Sequence, residues 1–233
     1  MPRRPRYQRQ RNQSFTRHRA FRSWRCARGV SRRTTAFCQP LGSPPPVRAQ
    51  RVDLERPGGQ AYLGLAWRGP RLDHADTPAV ELLAAVLGHS RSARLPRRLR
   101  DGLGLVDSIG ASYTALQTAG AITITAQLDR ANLNAAEQEI LKEVKRIADE
   151  GITAAERRRA ITAGEAQHEF AAETAEGRAR TLGRADTVWR LEDEAAWLDR
   201  LRSVSTEQIR AVARRYLDTD RFVRLALVPP GIQ

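Results

Sequence analysis

The sequence predicts an α+β fold, in which helices cover one face of an antiparallel-rich mixed sheet. Two patterns carry this prediction. Residues 121–128 alternate apolar and polar side chains, which is typical of a strand with one face in water. Residues 132–150 place apolar side chains at helical spacing along a single stripe. The order of segments is strand, two helices, two strands, several helices and a last strand, and this order indicates one α+β domain.

The first predicted strand spans residues 61–67, a short apolar run between glycine-containing turns. A helix is predicted for residues 73–88, with Asp76 as its N-cap and Pro78 in its first turn. Residues 92–101 are predicted to form a second, very basic helix.

Residues 105–114 and 121–128 are predicted strands, and Gly120 lies in the short turn between them, so we expect an antiparallel hairpin. The helix over residues 132–150 is expected to end at Gly151.

Thr153 and Glu156 have the spacing of a capping box, which predicts a long helix that runs past His168. Further predicted elements complete the domain. They are helices over residues 175–189, 192–203 and 206–216, and a closing strand over residues 221–228.

Charge divides the chain in two. Residues 1–50 contain 13 Arg and no Lys, Asp or Glu, whereas the remaining 183 residues contain 27 basic and 26 acidic side chains. We therefore predict a disordered Arg-rich tail over residues 1–50 and a nearly neutral folded domain over residues 51–233. No run approaches the roughly 18 apolar residues that cross a bilayer.

Four interpretations of the Arg-rich tail remain open. It has the composition of a transit peptide, which would direct the chain to the mitochondrion. Arg32 and Arg33 resemble a twin-arginine signal, but no apolar run follows them. Arginines with scattered aromatic residues could bind nucleic acid through phosphates. A wrong start codon or reading frame in GC-rich DNA would also produce an Arg-rich sequence without acidic residues. Without a targeting signal, the bacterial cytoplasm and periplasm are both open.

Metal-binding motifs are absent from the sequence. Both cysteines, Cys26 and Cys38, lie in the tail, so the domain has no thiolate site and no disulfide. None of the four histidines has Glu and His three and four residues later, and none begins H-E-x-x-H. A catalytic zinc needs about three converging protein ligands, so no zinc is expected in this chain.

Two charged clusters have both structural and functional interpretations. Glu165, His168, Glu169 and Glu173 share a helical spacing that could hold a metal, but ion pairs to arginines 157–159 are the simpler interpretation. The basic helix could recognise a carbonyl, a carboxylate or an acidic partner through its guanidinium groups. Its arginines are Arg91, Arg94, Arg97, Arg98 and Arg100.

A series of short segments resembles the C-terminal, zinc-less half of the pitrilysin/insulinase family of metallopeptidases. That family includes mitochondrial processing peptidase and two-subunit bacterial enzymes. The resemblance runs from about Arg51 to Pro230 and is carried by four segments. They are residues 87–95 (LGHSRSARL), 99–100 (LR), 104–106 (GLV) and 111–113 (ASY).

The resemblance implies a fold, a partner and a site. In the family, two homologous halves build one active unit, and the first half carries the zinc motif. The second half supplies an Arg and, seven residues later, a Tyr that contact the substrate backbone. The Arg is similar to Arg100, but position 107 is Asp107, and a carboxylate would repel a developing oxyanion. Tyr113, six residues further on, is the candidate second substrate contact.

The predicted function is therefore the non-catalytic half of a two-part zinc metallopeptidase. It would form a substrate chamber with a zinc-bearing homologous subunit or domain and would bind extended peptide. It would have no cofactor of its own and would not hydrolyse peptides alone. Two alternatives stay open: a degenerate homologue kept for scaffolding or assembly, which Asp107 favours, and a nucleic-acid-binding protein acting through the tail.

Overall fold

The structure is a computed structural model and describes residues 49–230. The predictions made for residues 1–48, including those for the two cysteines, lie outside the described residues.

Five strands form one sheet in the order β1-β5-β2-β4-β3. The strands are β1 (Gln50–Glu55), β2 (Ala61–Gly69), β3 (Ser108–Ala115), β4 (Gly120–Leu128) and β5 (Val223–Val228). Strand β1 pairs with β5 in parallel, and the other three pairings are antiparallel. This sheet, covered by helices, confirms the predicted α+β fold with its antiparallel-rich mixed sheet.

Seven α-helices occur in the described part of the chain. They are α1 (Thr77–Ala84), α2 (Leu133–Glu150), α3 (Ala154–Glu173), α4 (Ala175–Val188), α5 (Leu191–Ala195), α6 (Trp197–Ser203) and α7 (Thr206–Tyr216). Two π-helical segments, Ala85–His89 and Pro96–Gly102, and a 3-10 turn, Arg130–Asn132, complete the helical structure. Among these helices, none has the length and apolar character that crossing a membrane requires.

The local predictions hold at most element ends. Thr153 and Glu156 form both hydrogen bonds of the capping box, and Gly151 ends α2 with a φ of 81° that favours glycine. The predicted hairpin joins β3 to β4. The helix predicted for residues 192–203 is divided in two at Ala196.

The core lies on one side of the sheet. Inward side chains of β2 and β4, such as Leu63, Leu65, Ile122 and Ile124, are at most 2% exposed. Helices α1, α2 and α7 contact these strands or one another, while α3 and α6 pack against α1 from outside. Because the leucine, isoleucine and tryptophan side chains of the two strands point the same way, the helices cover that face.

Gly88, in the segment of residues 87–95, occupies a position where only glycine fits. It lies in the π-helical continuation of α1, where a Cβ atom would stand 2.2 Å from the backbone nitrogen of Ala111. No larger residue allows this approach, so Gly88 lets the helix lie directly against β3.

Two features of the structure differ from the predictions. Strand β1 was not predicted, because all six of its residues are exposed and burial leaves no period in its sequence. Asp76 occupies the N-cap position of α1, but its side chain makes no capping hydrogen bond. Its carboxylate instead accepts from the Tyr216 hydroxyl at 2.8 Å and from Arg215 at 3.0 Å. The Asp76 side chain therefore fastens α1 to α7.

An ionic network attaches β1 to the domain. The Arg224 guanidinium of β5 donates to Glu137 of α2 at 2.7 Å and also to Asp53 of β1. Arg51 of β1 contacts the second oxygen of Glu137 at 2.7 Å. Arg224 and Glu137 are each 5% exposed, so each charge depends on its partners.

Replacing Arg224→Met should lower the free energy of unfolding by about 3–5 kcal/mol, because Asp53 and the buried Glu137 lose their shared cation. Chemical denaturation measures this change. Arg221→Met is the matched control, since Arg221 is exposed, and it should cost less than about 0.5 kcal/mol. Equal effects of the two substitutions would contradict the role given to the network.

Candidate functional site: the open face of the sheet

The face of the sheet opposite the helices is here called the open face. The strand registers place the alternate residues of all five strands on it, and none of them belongs to the hydrophobic core of the described residues. The open face consists of Gln50, Val52, Leu54, Tyr62, Gly64, Ala66, Arg68, Ser108, Gly110, Ser112, Thr114, Ala121, Thr123, Thr125, Gln127, Val223, Leu225 and Leu227.

The middle of the open face is flat and carries hydroxyl groups. Gly64 and Ala66 of β2 lie beside Thr125 and Thr123 of β4. The Ser112 and Thr123 hydroxyls are 2.8 Å apart and share a hydrogen bond. Small side chains let another backbone approach closely, and hydroxyls can both donate and accept hydrogen bonds. This surface can therefore contact an extended chain without a deep pocket.

One side of the open face is apolar. Val52, Leu54 and Leu225, from the neighbouring strands β1 and β5, are between 39% and 44% exposed, and Tyr62 is 50% exposed. Exposed apolar residues that are contiguous often mark a contact surface. The unpredicted strand β1 supplies two of these three aliphatic side chains, Val52 and Leu54, so sequence patterning alone missed this border.

Arg100, the first predicted substrate contact, lies in the π-helical segment Pro96–Gly102. Its guanidinium donates to both oxygens of the adjacent Asp101, at 2.7 and 3.1 Å. This hydrogen-bonded pairing raises the pKa of Arg100 and lowers the pKa of Asp101. A substrate carbonyl would have to compete with Asp101 for the guanidinium, and the substrate role of Arg100 stays a prediction.

Tyr113, the second predicted contact, lies on β3 opposite Ile122, on the helix side of the sheet. Its hydroxyl donates to the Pro70 carbonyl at 2.8 Å, and burial raises its pKa. Tyr113 and Arg100 do not hydrogen-bond to each other. The hydroxyl of Tyr113 binds Pro70, and the guanidinium of Arg100 binds Asp101. Tyr113 lies outside the open face, and its substrate role also stays a prediction.

Asp107, which stands where the resemblance expects a tyrosine, immediately precedes β3. Its carboxylate accepts from the Gln60 amide at 2.7 Å, and Gln60 accepts in turn from Gln127 of the open face. The carboxylate is thus tied into an amide network at the end of the sheet. It can accept hydrogen bonds from a ligand, but it cannot donate one while it is ionised.

The Glu165–Glu173 cluster does not assemble as a metal site. Across residues 49–230, no group of three or more His, Cys, Asp or Glu side chains is placed to hold a metal ion. Glu165 pairs with Arg202 at 2.6 Å, so the predicted pairing with arginines 157–159 is wrong for this carboxylate. Arg157 binds the backbone carbonyls of Val204 and Arg202 instead, because α6 ends beside it.

Three of the five arginines of the predicted basic helix form ion pairs within the fold. Arg94 binds both oxygens of Glu156, at 2.7 and 2.9 Å, and the Gly151 carbonyl at 3.1 Å. Arg98 pairs with Glu139 at 3.2 Å. The hydrogen bond from Arg94 is the largest cause that lowers the pKa of Glu156 to about 2. These contacts hold the π-helical segment against α2 and α3.

Comparison with known proteins agrees with this fold. The structure resembles that of a protease from Helicobacter pylori with a TM-score of 0.74 and 19% identity, covering 80% of this chain and 46% of the other. The peptidase M16 inactive domain from Pseudomonas fluorescens gives a TM-score of 0.73 and 21% identity, with 82% and 46% covered. This chain thus spans less than half the length of either protein.

A third similar structure is the inactive peptidase domain of a candidate zinc protease from Bordetella parapertussis. Its TM-score is 0.67 at 20% identity, with 77% of this chain and 98% of the other covered. A comparison with curated proteins gives no match. These likenesses establish the fold class, that of an M16-type inactive peptidase domain.

The family model described as "Peptidase M16 inactive domain" matches residues 22–163, more than half of the chain. The chain therefore belongs to this family, which confirms the resemblance to the zinc-less half of the pitrilysin/insulinase peptidases. The match begins at residue 22, earlier than the resemblance noted from Arg51.

Replacing Arg94→Met should lower the free energy of unfolding by about 1–3 kcal/mol at pH 7, because a charge-assisted, half-buried hydrogen-bond pair is lost. The pKa of Glu156 is lower in the folded state than its ordinary value of 4.5. Its stabilising effect is therefore complete above the unfolded-state pKa and is lost as pH falls through about 2.

The free energies of unfolding of this variant and of the parent are measured by denaturation at pH 7 and at about pH 3. The difference between the two free energies should be smaller at the lower pH. Arg98→Met is the control, because its side chain is 47% exposed, and it should cost less than about 1 kcal/mol. If the free energies of unfolding of Arg94→Met and the parent differed by the same amount at both pH values, the proposed link between Glu156 ionisation and stability would be refuted.

Proposed function

We propose that this chain is the non-catalytic half of a two-part zinc metallopeptidase. Its open face forms one wall of a chamber that holds extended peptide beside a zinc-bearing partner domain or subunit. The observation that supports this proposal is the open face itself, a sheet surface that carries small side chains and hydroxyls in its middle and lies outside the hydrophobic core.

The middle of the open face suits an extended peptide. The Ser112–Thr123 hydroxyl pair and Thr125 offer hydrogen bonds, and glycine and alanine beside them leave room for a backbone. These groups impose little side-chain preference, because hydroxyls can serve as donors or acceptors. A chamber wall of this kind would retain peptides of varied sequence.

The apolar border supports a partner. Val52, Leu54 and Leu225 would leave water if a second half packed along the β1 edge, and apolar burial is the main driving force of association. The partner would supply the zinc, since the sequence of this chain contains neither orientation of the zinc-peptidase histidine motif. Two of the structures it resembles are longer, since the match covers 46% of each, and their additional length supports the proposal of a second domain.

Arg100 is proposed to contact the substrate backbone. On binding, its guanidinium would exchange its hydrogen bonds to Asp101 for hydrogen bonds to the substrate.

Asp107 favours the second function, a scaffolding homologue. Its carboxylate accepts a hydrogen bond from Gln60 at the position where a tyrosine hydroxyl would donate one to the reacting carbonyl. The two functions differ in whether peptide cleavage by the complex responds to changes on the open face.

Replacing Thr125→Arg should lower peptide cleavage by the complex about tenfold or more, because a long charged side chain would obstruct the open face. The assay co-expresses this chain with a zinc-bearing M16 peptidase half that carries the H-x-x-E-H motif and measures kcat/KM on an extended fluorogenic peptide. Asn134→Arg, on the exposed side of α2, is the matched control and should leave cleavage unchanged. Cleavage that is the same with this chain left out would end the proposal.

A further inference from the structure

Strand β1 leaves one edge of the sheet open within residues 49–230. In the strand order β1-β5-β2-β4-β3, β1 has a neighbouring strand on one side only, and all six of its residues are exposed. Unpaired backbone N–H and C=O groups along such an edge are a template for a further strand. The direction of these groups and the pattern of the β1 side chains indicate which strand fits.

The backbone groups at the free edge belong to alternate residues of β1. Gln50 and Arg56 donate their backbone N–H groups to carbonyls at the two ends of β5, at 3.2 and 2.9 Å. Successive residues of a strand direct these groups to opposite sides, so the even-numbered residues of β1 bond to β5. The N–H and C=O groups of Arg51, Asp53 and Glu55 therefore point to the free edge.

The side chains of β1 differ between its two faces. On the open face, Val52 and Leu54 are 39% and 44% exposed. On the helix side, the side chains of Arg51 and Asp53 each stay 62% exposed, although both form ion pairs within the domain. Charged side chains on an edge strand disfavour pairing with most other strands. They favour a strand that places the opposite charges across from them.

A second copy of β1, antiparallel and related by a two-fold axis at Val52, meets these requirements. Arg51 then lies opposite Asp53 of the second copy, and the reciprocal pair forms on the other side of the axis. Because the backbone groups of both residues point to the free edge, these are hydrogen-bonded pairs. Val52 lies opposite Val52 of the second copy, in a non-hydrogen-bonded pair whose Cα atoms are about 4.5 Å apart. An axis at Asp53 would instead oppose two carboxylates, which is destabilising.

We propose that two copies of this chain form an isologous dimer in which β1 pairs with β1 across an axis at Val52. The two five-stranded sheets then form one continuous sheet, and the same surface serves both subunits. The dimer needs neither zinc nor peptide and goes beyond the proposed chamber. A zinc-bearing half that packed along this edge would displace the second copy, so the dimer is the form of the chain without that half.

Sedimentation equilibrium of the full chain under reducing conditions measures the dissociation constant of the dimer. Val52→Lys should weaken the dimer at least about tenfold, because two ammonium groups would meet at the axis. Leu225→Lys is the matched control, since Leu225 is 40% exposed and lies beside Val52 on β5, one strand away from the edge. This control should leave the dissociation constant nearly unchanged.

A disulfide cross-link tests the register. In a chain with Cys26→Ser and Cys38→Ser, oxidation of Val52→Cys should give a covalent dimer, because Cα atoms about 4.5 Å apart are within the range of disulfides. Leu54→Cys is the control. The two copies of residue 54 would be four positions apart along the paired strands, about 14 Å, and should not cross-link.

A full chain that stays monomeric at its highest soluble concentration would overturn the proposal. Equal weakening of the dimer by Leu225→Lys and Val52→Lys would also overturn it, because the contact would then be through the apolar face and not through paired edges. Cross-linking of Leu54→Cys as readily as Val52→Cys would contradict the axis at Val52. The cross-link is informative even if lysine at position 52 impairs folding.

Discussion

Burial on one face of the sheet is the constraint from which the rest of the structure follows. The inward side chains of β2 and β4, including Leu63, Leu65, Ile122 and Ile124, are almost completely removed from water. At about 25 cal/mol per Å² of apolar surface, such burial is the largest favourable contribution to folding. All of it lies on the helix side, which leaves Ser112, Thr123 and their neighbours facing outward. An exposed, hydroxyl-bearing sheet surface is thus a consequence of how the core is built.

Ion pairs attach to this core the elements that bury little apolar surface of their own. Strand β1 has six exposed residues, and the Arg224 network joins it to β5 and α2. Arg94, which lies two residues before the π-helical segment Pro96–Gly102, ties the start of that segment to α3 through Glu156. The nearly balanced charge of residues 51–233 therefore reflects arginines with local partners. Three of the five arginines in the predicted basic helix are paired with carboxylates: Arg94 with Glu156 of α3, Arg98 with Glu139 of α2, and Arg100 with the adjacent Asp101.

The fold was largely predictable from sequence because its signals are local. Alternation in β4, the apolar stripe of α2, the capping box at Thr153 and the stop at Gly151 each depend on neighbours within a few residues. The exposed strand β1 and the contact between Asp76 and Tyr216 depend on segments far apart in the chain, so no local pattern marks them. The residues of the open face show the same division between local and long-range signals. Thr123 and Thr125 were visible as the polar side of a strand, whereas Val52 and Leu54 join the open face only through the pairing of β1 with β5.

The central claim is that the open face contacts extended peptide in a complex with a zinc-bearing partner. Photo-cross-linking tests it most directly, because residues 51–233 contain no cysteine. In a chain with Cys26→Ser and Cys38→Ser, a photo-reactive label is attached at Thr125→Cys or, on the far side, at Asn134→Cys. With partner and peptide present, the account predicts cross-links to peptide from position 125 and none from position 134. Cross-links to peptide from position 134, with none from position 125, would contradict it.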